Sequence, residues 1–319
     1  MRRREFLSTV GAAMVAGGGK AHGSTLGSKE RVDRALKGSD VDRPPFSFWH
    51  HFGLKDAKSH AEATLAFHRR FRTDFVKVMS DFPFPAARTG HWYELRPIDN
   101  PFPDQLKALE LIRDGLAGQA YFVETIFNSW NVAEKLSSPA EVRRLQAEKP
   151  QALLDALDTI TQSQIAHIRR SLQTGASGIL LSVANANAKE CSVETYSKFS
   201  APFDQRLVAA AAGSKLTFLH LHVEAPYLDQ FHRFEAPVIN YSDKVSGIPI
   251  SKVREKYSQV IAGGIDEVNY RTLTEDQLRR QIDSARRQAG PKFILTPGCS
   301  VPNDSSDKEL ERLPRALGA

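Results

Sequence analysis

The chain has 319 residues, 41% of them hydrophobic and 25% charged, which is the composition of a folded globular protein rather than a disordered one. That length suits one large α/β domain or two ordinary ones. The net charge is +6, but the first 21 residues carry four basic groups and one acidic; without them the excess falls to +3, too little to argue for nucleic-acid binding.

Two cysteines, Cys191 and Cys299, cannot build a disulfide framework; they leave one bridge or two thiols. The chain opens on a basic cluster followed by a short apolar run. Residues 7–19 are too few and too rich in glycine to span a bilayer. Arg3-Arg4-Glu5-Phe6-Leu7 resembles the RRxFL core of a twin-arginine export signal, and Gly19-Lys20-Ala21 offers small residues for cleavage. The expectation is a signal over residues 1–23, read by the twin-arginine (Tat) export machinery, and a mature domain over 30–319 working outside the cytoplasm. No later segment is apolar for long enough to make a stable membrane span.

Short β-rich apolar runs then recur in order: Phe46–His50, Phe75–Met79, Tyr121–Ile126, Ile179–Val183, Leu216–His222, Val238–Tyr241, Gln259–Ala262 and Phe293–Thr296. Amphipathic helical stretches separate them, including Glu62–Arg72, Gln105–Leu116, Leu153–Leu172, Ser197–Ala212 and Glu275–Gln288. Ser138 before Pro139 and Glu141, and Thr274 before Glu275, read as helix N-caps. The link between the fifth and sixth strands is short, so its helix must be brief. Eight strands alternating with helices point to parallel βα units, and eight is the number that closes a (β/α)8 TIM barrel. An open doubly wound sheet is the alternative.

A barrel places its site at the C-terminal ends of its strands. Those ends carry His50 and His51, Asp81, Glu124 with Asn128, and Asn185 with Asn187. Further on they carry His220, His222 and Glu224, then Asp243, Asp266 and Cys299. His220 and His222 stand two apart in an apolar run, so in a strand both look into one space. Metal ligation, acid–base chemistry and hydrogen-bonded packing are all open to such a pair. His50 and His51 are adjacent, so only one of them faces inward, with His50 favoured. His68, His91, His167 and His232 have no partner pattern and read as surface or structural. Gly263-Gly264 lacks the spacing of a phosphate loop.

Several stretches together resemble the uroporphyrinogen decarboxylase superfamily. The resemblance begins at Arg31-Val32-Asp33-Arg34-Ala35-Leu36-Lys37-Gly38 and Val41-Asp42-Arg43-Pro44-Pro45. It recurs at Ser80-Asp81 and at Tyr196-Ser197-Lys198-Phe199-Ser200-Ala201-Pro202, and closes at Thr296-Pro297-Gly298-Cys299-Ser300-Val301-Pro302. It implies a (β/α)8 barrel with one of two chemistries. One branch decarboxylates uroporphyrinogen without cofactor, and Asp81 matches the aspartate that holds the pyrrole NH groups. The arginines of that branch are absent from Trp49-His50-His51-Phe52-Gly53-Leu54-Lys55, and Cys299 replaces its late histidine. The other branch moves methyl groups between corrinoids and thiols using zinc, and its ligand positions match His220, His222 and Cys299.

The resemblance therefore implies a zinc site at those three residues, with Glu224 as a fourth ligand or an orienting group. Asp81 and His50 or His51 are the acid–base candidates, acting on a small acidic substrate. A cofactor-free carboxy-lyase anchored by Asp81 is the alternative function, and a barrel that binds ligand without chemistry is a third. Homodimerism is implied by the decarboxylase branch alone. A Cys191–Cys299 bridge is a rival fate for the thiols in an exported protein.

Overall fold

A computed structural model describes residues 25–87, 90–222 and 224–319. The expected export signal, residues 1–23, lies outside them. Seven parallel strands form one sheet in chain order: β1 (Phe75–Val78), β2 (Tyr121–Phe127), β3 (Ile179–Val183), β4 (Phe218–Leu221), β5 (Val238–Tyr241), β6 (Val260–Ile265) and β7 (Phe293–Pro297). These are seven of the eight predicted strands, shifted by a few residues at their ends.

The first predicted strand, Phe46–His50, is reduced to a bridge between Phe46 and Leu295 of β7. It still joins the two edges of the sheet. The Leu295 amide donates to the Pro45 carbonyl at 2.8 Å, and the Asp74 amide donates to the Phe46 carbonyl at 2.8 Å. Pro44 and Pro45 have no N–H to give a ladder. Side chains supply the missing bonds: Phe46 N–H donates to Asp74 Oδ2 at 2.9 Å, and Ser47 Oγ donates to the Phe75 carbonyl at 2.8 Å. The architecture is a (β/α)8-type barrel with this segment in the eighth place.

Alternate residues of the strands fill the barrel. Trp49, Phe75, Val123, Leu180, Phe218 and Ile294 pack into one interior cluster. The helix Ser28–Lys37 closes the N-terminal end, adding Val32 and Ala35 to that cluster. It is anchored by an ion network that accounts for the opening motif. Arg31 donates from Nε to Asp42 at 2.7 Å and from a terminal nitrogen to Asp74 at 2.5 Å, while Arg43 reaches Asp74 at 2.6 Å. Asp74 is fully buried, so these partners are what make its charge tolerable there.

The predicted helices are present, with one break. Ser197–Ala212 is two helices, Val193–Phe199 and Ala201–Ala210, because Pro202 starts a new first turn after Ser200. Ser138 caps Pro139–Glu148, and Thr274 forms a capping box with Gln277. The short link after β4 holds only a 3-10 turn, Leu228–Phe231. No described helix is long and apolar enough to cross a membrane.

Candidate metal centre

The parity of β4 sets the site. Phe218 and His220 point into the barrel, while Leu219 and Leu221 pack beneath the helices. The strand ends at Leu221, but the His222 amide still donates to the Val183 carbonyl at 3.0 Å, which keeps His222 on the face of His220. Across the mouth, β7 ends at Pro297 and the chain turns through Gly298. A Cβ on Gly298 would sit 2.2 Å from the Ser242 Cα, so only glycine lets the turn pack there. Glu267 holds the turn by accepting from the Gly298 amide at 3.3 Å. The turn delivers Cys299 Sγ to 2.8 Å from His222 Nδ1.

The donor atoms of His220, His222 and Cys299 all lie within 4.8 Å of one another, the one such group of His, Cys, Asp or Glu found among the described residues. The tautomer of His220 follows from its neighbours. Trp49 Nε1 can only donate, and it lies 3.0 Å from Asn240 Oδ1. The Asn240 amide nitrogen donates to the Ala262 carbonyl and to Thr296 Oγ1, both at 3.1 Å. Asn240 Oδ1 is therefore the acceptor, and His220 Nδ1, at 2.5 Å from it, is the donor. That leaves the His220 lone pair on Nε2. Burial pushes the pKa of His220 well down, with repulsion from His222 and Lys77 adding, so the ring is neutral. Two imidazoles and a thiol, one ring oriented by a fixed amide, make a donor set that zinc accepts. Burial raises the Cys299 pKa, so the sulfur is a thiol until a cation or base takes its proton.

The second group faces the first across the cleft. Asp81, just past β1, accepts from His51 Nδ1 at 2.9 Å and from the Gly53 amide at 3.1 Å. Burial acts to raise the Asp81 pKa, but the His51 and Gly53 hydrogen bonds outweigh it and hold the carboxyl below its ordinary value. The favoured orientation of His50 is corrected. Trp49 points into the barrel, so His51, two residues on, shares its face. His50 packs outward, its ring 5.1 Å from both Phe52 and Phe67.

Sequence reasoning missed Lys77. In β1, Phe75 and Lys77 share the inward face, and the Lys77 ammonium sits 5.6 Å from the Trp49 ring in the lobe that holds the three donors. Burial pushes its pKa down to about 8, against the pull of Cys299, Asp81 and Glu124. A lysine inside an otherwise apolar strand was the available signal. Lys135, on the helix Ser129–Leu136, lies over the Phe127 ring at 3.2 Å from its centre.

Other candidates fall outside the site. Glu224 is exposed and ion-paired to Lys189, because the chain turns after β4 and Ala225 takes a positive φ of 44°. Glu124 points out of the barrel and binds His167 Nε2 at 3.0 Å beneath the helices. Asn128 and Asn185 bond each other at 2.8 Å in a buried network that reaches Asp204. Asp243 accepts from the Gly264 amide at 2.9 Å, and Asp266 from the Asn269 amide at 2.9 Å. Asn187 caps its own turn at Lys189. Cys191 and Cys299 do not form the bridge considered above; both are free, and Cys191 Sγ donates to the Asn185 carbonyl at 3.0 Å.

A barrel with ionisable side chains gathered at the C-terminal mouth of its strands has the layout of an enzyme. The family model described as uroporphyrinogen decarboxylase (URO-D) matches residues 91–318, and the chain belongs to that family of enzymes. Among solved structures it is similar to a methyltransferase from Methanosarcina mazei, at 18% identity over 92% of this chain and 98% of that one, with a TM-score of 0.78. It is also similar to a Listeria monocytogenes protein described as a vitamin-B12-independent methionine synthase, at 12% identity over 87% and 96%, with a TM-score of 0.53. At these identities the likeness shows the fold. A search of the curated proteins finds no match.

Proposed function

We propose that this chain is a zinc-assisted enzyme acting on a small acidic substrate, with a site of the methyltransferase type. The observation that carries the reading is the convergence of His220, His222 and Cys299 within 4.8 Å. Bound there, zinc would supply a Lewis acid that lowers the pKa of a coordinated water or thiol, or polarises a carbonyl. The chain's own residues do the rest. Asn240 keeps His220 in the Nδ1–H form, which leaves Nε2 to ligate. Asp81 holds His51 Nδ1–H in the same way, so His51 Nε2 is free to take a proton from the substrate and return it. Lys77 supplies fixed positive charge at the floor of the site.

The test is a chelation series on the purified protein. Turnover of small carboxylates carrying transferable methyl groups, with thiol acceptors, is screened before and after chelation and after zinc is restored. Activity lost on chelation and regained with zinc supports the reading; activity indifferent to chelation defeats it. The second reading, a cofactor-free carboxy-lyase, is favoured by Asp81 standing as a carboxylate on the wall of the cleft. Release of carbon dioxide from a uroporphyrinogen in chelator would establish it. For the N-terminus we keep export by the twin-arginine route, with sequencing of the mature protein as the check: cleavage after residues 19–23 supports it and an intact Arg3-Arg4 opposes it.

A further inference from the structure

The cleft has two lobes. The inner one, about 280 Å³, holds His220, His222, Cys299 and Lys77. The outer one, about 300 Å³, is lined mainly by carbon, with Phe82, Pro83, Phe84, Phe102 and Leu136 on its walls. His51, Phe127 and Lys135 border both lobes and form the neck between them. The charges are unequal. Lys77 touches the sulfur of Met79 and the face of Trp49, and Lys135 the face of Phe127. Among the described residues neither lysine makes an ion pair, while the one carboxylate on the lining, Asp81, is already engaged by His51 and Gly53. Two ammonium groups held without a paired carboxylate in a partly buried cleft cost stability, which among the described residues only ring faces, a thioether and more distant charges offset in part.

We infer that one amphipathic organic anion fills both lobes: its carboxylate lies in the inner lobe on Lys77, with Lys135 at the neck, and its aryl or branched alkyl body lies against Phe84 and Phe102. The inference rests on the same site as the proposed function and names the class of its substrate. The anion supplies the missing counter-charge, and the body removes apolar wall from water. Burial holds the Lys77 pKa down at about 8, and a carboxylate beside it would draw that value back up and strengthen the pairing. A small acid such as propionate would use the inner lobe alone and bind weakly. A neutral amide of the same shape would use the outer lobe alone.

The experiment uses the full chain, zinc-loaded and chelator-treated, with hydrocinnamate, hydrocinnamide and propionate as probes, read by calorimetry. Hydrocinnamate is expected to bind at least about tenfold more tightly than either of the others. Lys77→Met and Lys135→Met should each weaken hydrocinnamate about tenfold and leave hydrocinnamide unchanged, and Phe84→Ala should weaken both aryl probes while sparing propionate. Methionine nearly matches the lysine stem, so these variants should fold, and their thermal melts check it. Equal affinity for acid and amide, or lysine variants that change nothing, overturns the inference, as does no binding of any probe at about 10 mM. A carboxylate preference that disappears with chelator and ignores both lysines also overturns it, while leaving the zinc reading intact. Lysine-dependent binding to a protein that holds no zinc upholds it while the zinc reading falls.

Discussion

Asp81 Oδ1 lies 2.9 Å from His51 Nδ1, across the cleft from the pair formed by His222 and Cys299. A carboxylate can only accept, so the His51 ring carries its proton on Nδ1 and presents Nε2 as a base. Asn240 does the same for His220 through an amide oxygen. Two histidines on opposite walls are thus set in one tautomer by unlike partners.

Asp81→Asn should release His51 from that single tautomer, because an amide can offer either oxygen or nitrogen to the ring. Nitrogen-detected NMR of the imidazoles would show a mixed population at His51, and His220 would be unchanged. If His51 acts as the proton carrier, kcat should fall by roughly a hundredfold or more in the same variant. An unaltered ring and unaltered turnover would remove this dyad from the account.

Gly298→Ala tests how the Cys299 turn is held. Its Cβ would meet Ser242 at 2.2–2.8 Å from three atoms, two of them backbone. The turn must shift, at a cost of about 1–3 kcal/mol. Urea denaturation should show that loss, and zinc retention should weaken with it. Normal stability would mean that the turn has room that the packing denies.

Arg31→Met removes the principal partner of two aspartates while keeping the length of the side chain. Asp74 is fully buried and would retain only Arg43 and the Phe46 amide. Breaking such a network costs about 3–5 kcal/mol. Denaturant unfolding should show a loss of that order, since the helix Ser28–Lys37 closes the barrel floor. A change near zero would show that the network is not a foundation of the fold.

Asp204 gives a pH signature. Burial raises its carboxyl to about 7, against hydrogen bonds from Tyr196 at 3.0 Å and Asn128 at 3.4 Å. The folded chain then holds a proton that the unfolded chain, with its carboxyl near 3.9, releases. That contribution is complete below about pH 4 and is lost as the pH rises to about 7. Asp204→Asn removes it, so the variant should gain on the wild type by up to about 1.4 kcal/mol per unit across that window and then level off. Paired urea curves at intervals of pH check it, and a constant difference contradicts it.

The sequence made the fold legible because parallel strands buried on both faces read as short apolar runs between helical stretches, and seven of these appear in order. The eighth was legible as a run but not as a strand, since Pro44 and Pro45 leave the ladder to side chains. In the site, the two-residue spacing of His220 and His222 survives folding because one backbone bond carries the strand past its end. Glu224 is lost to the turn after it. Cys299 comes from 77 residues away, and only the family resemblance pointed to it. The choice between His50 and His51 rested on the parity of Trp49, which is concealed because its neighbour Phe48 is as large and apolar and packs on the opposite face. Lys77 went unread because a single lysine in a strand has no partner in the sequence, and its meaning lies in what faces it across the barrel.

The central claim is that His220, His222 and Cys299 hold zinc. Elemental analysis of the purified wild type beside His222→Ala and Cys299→Ala tests it most directly, with all three prepared without chelator and offered zinc. The account predicts about one zinc per wild-type chain and a loss of most of it in both variants, each still folded. A wild type that stays free of metal after zinc is offered, or variants that keep it in full, would contradict the account and return the three side chains to acid–base or packing roles.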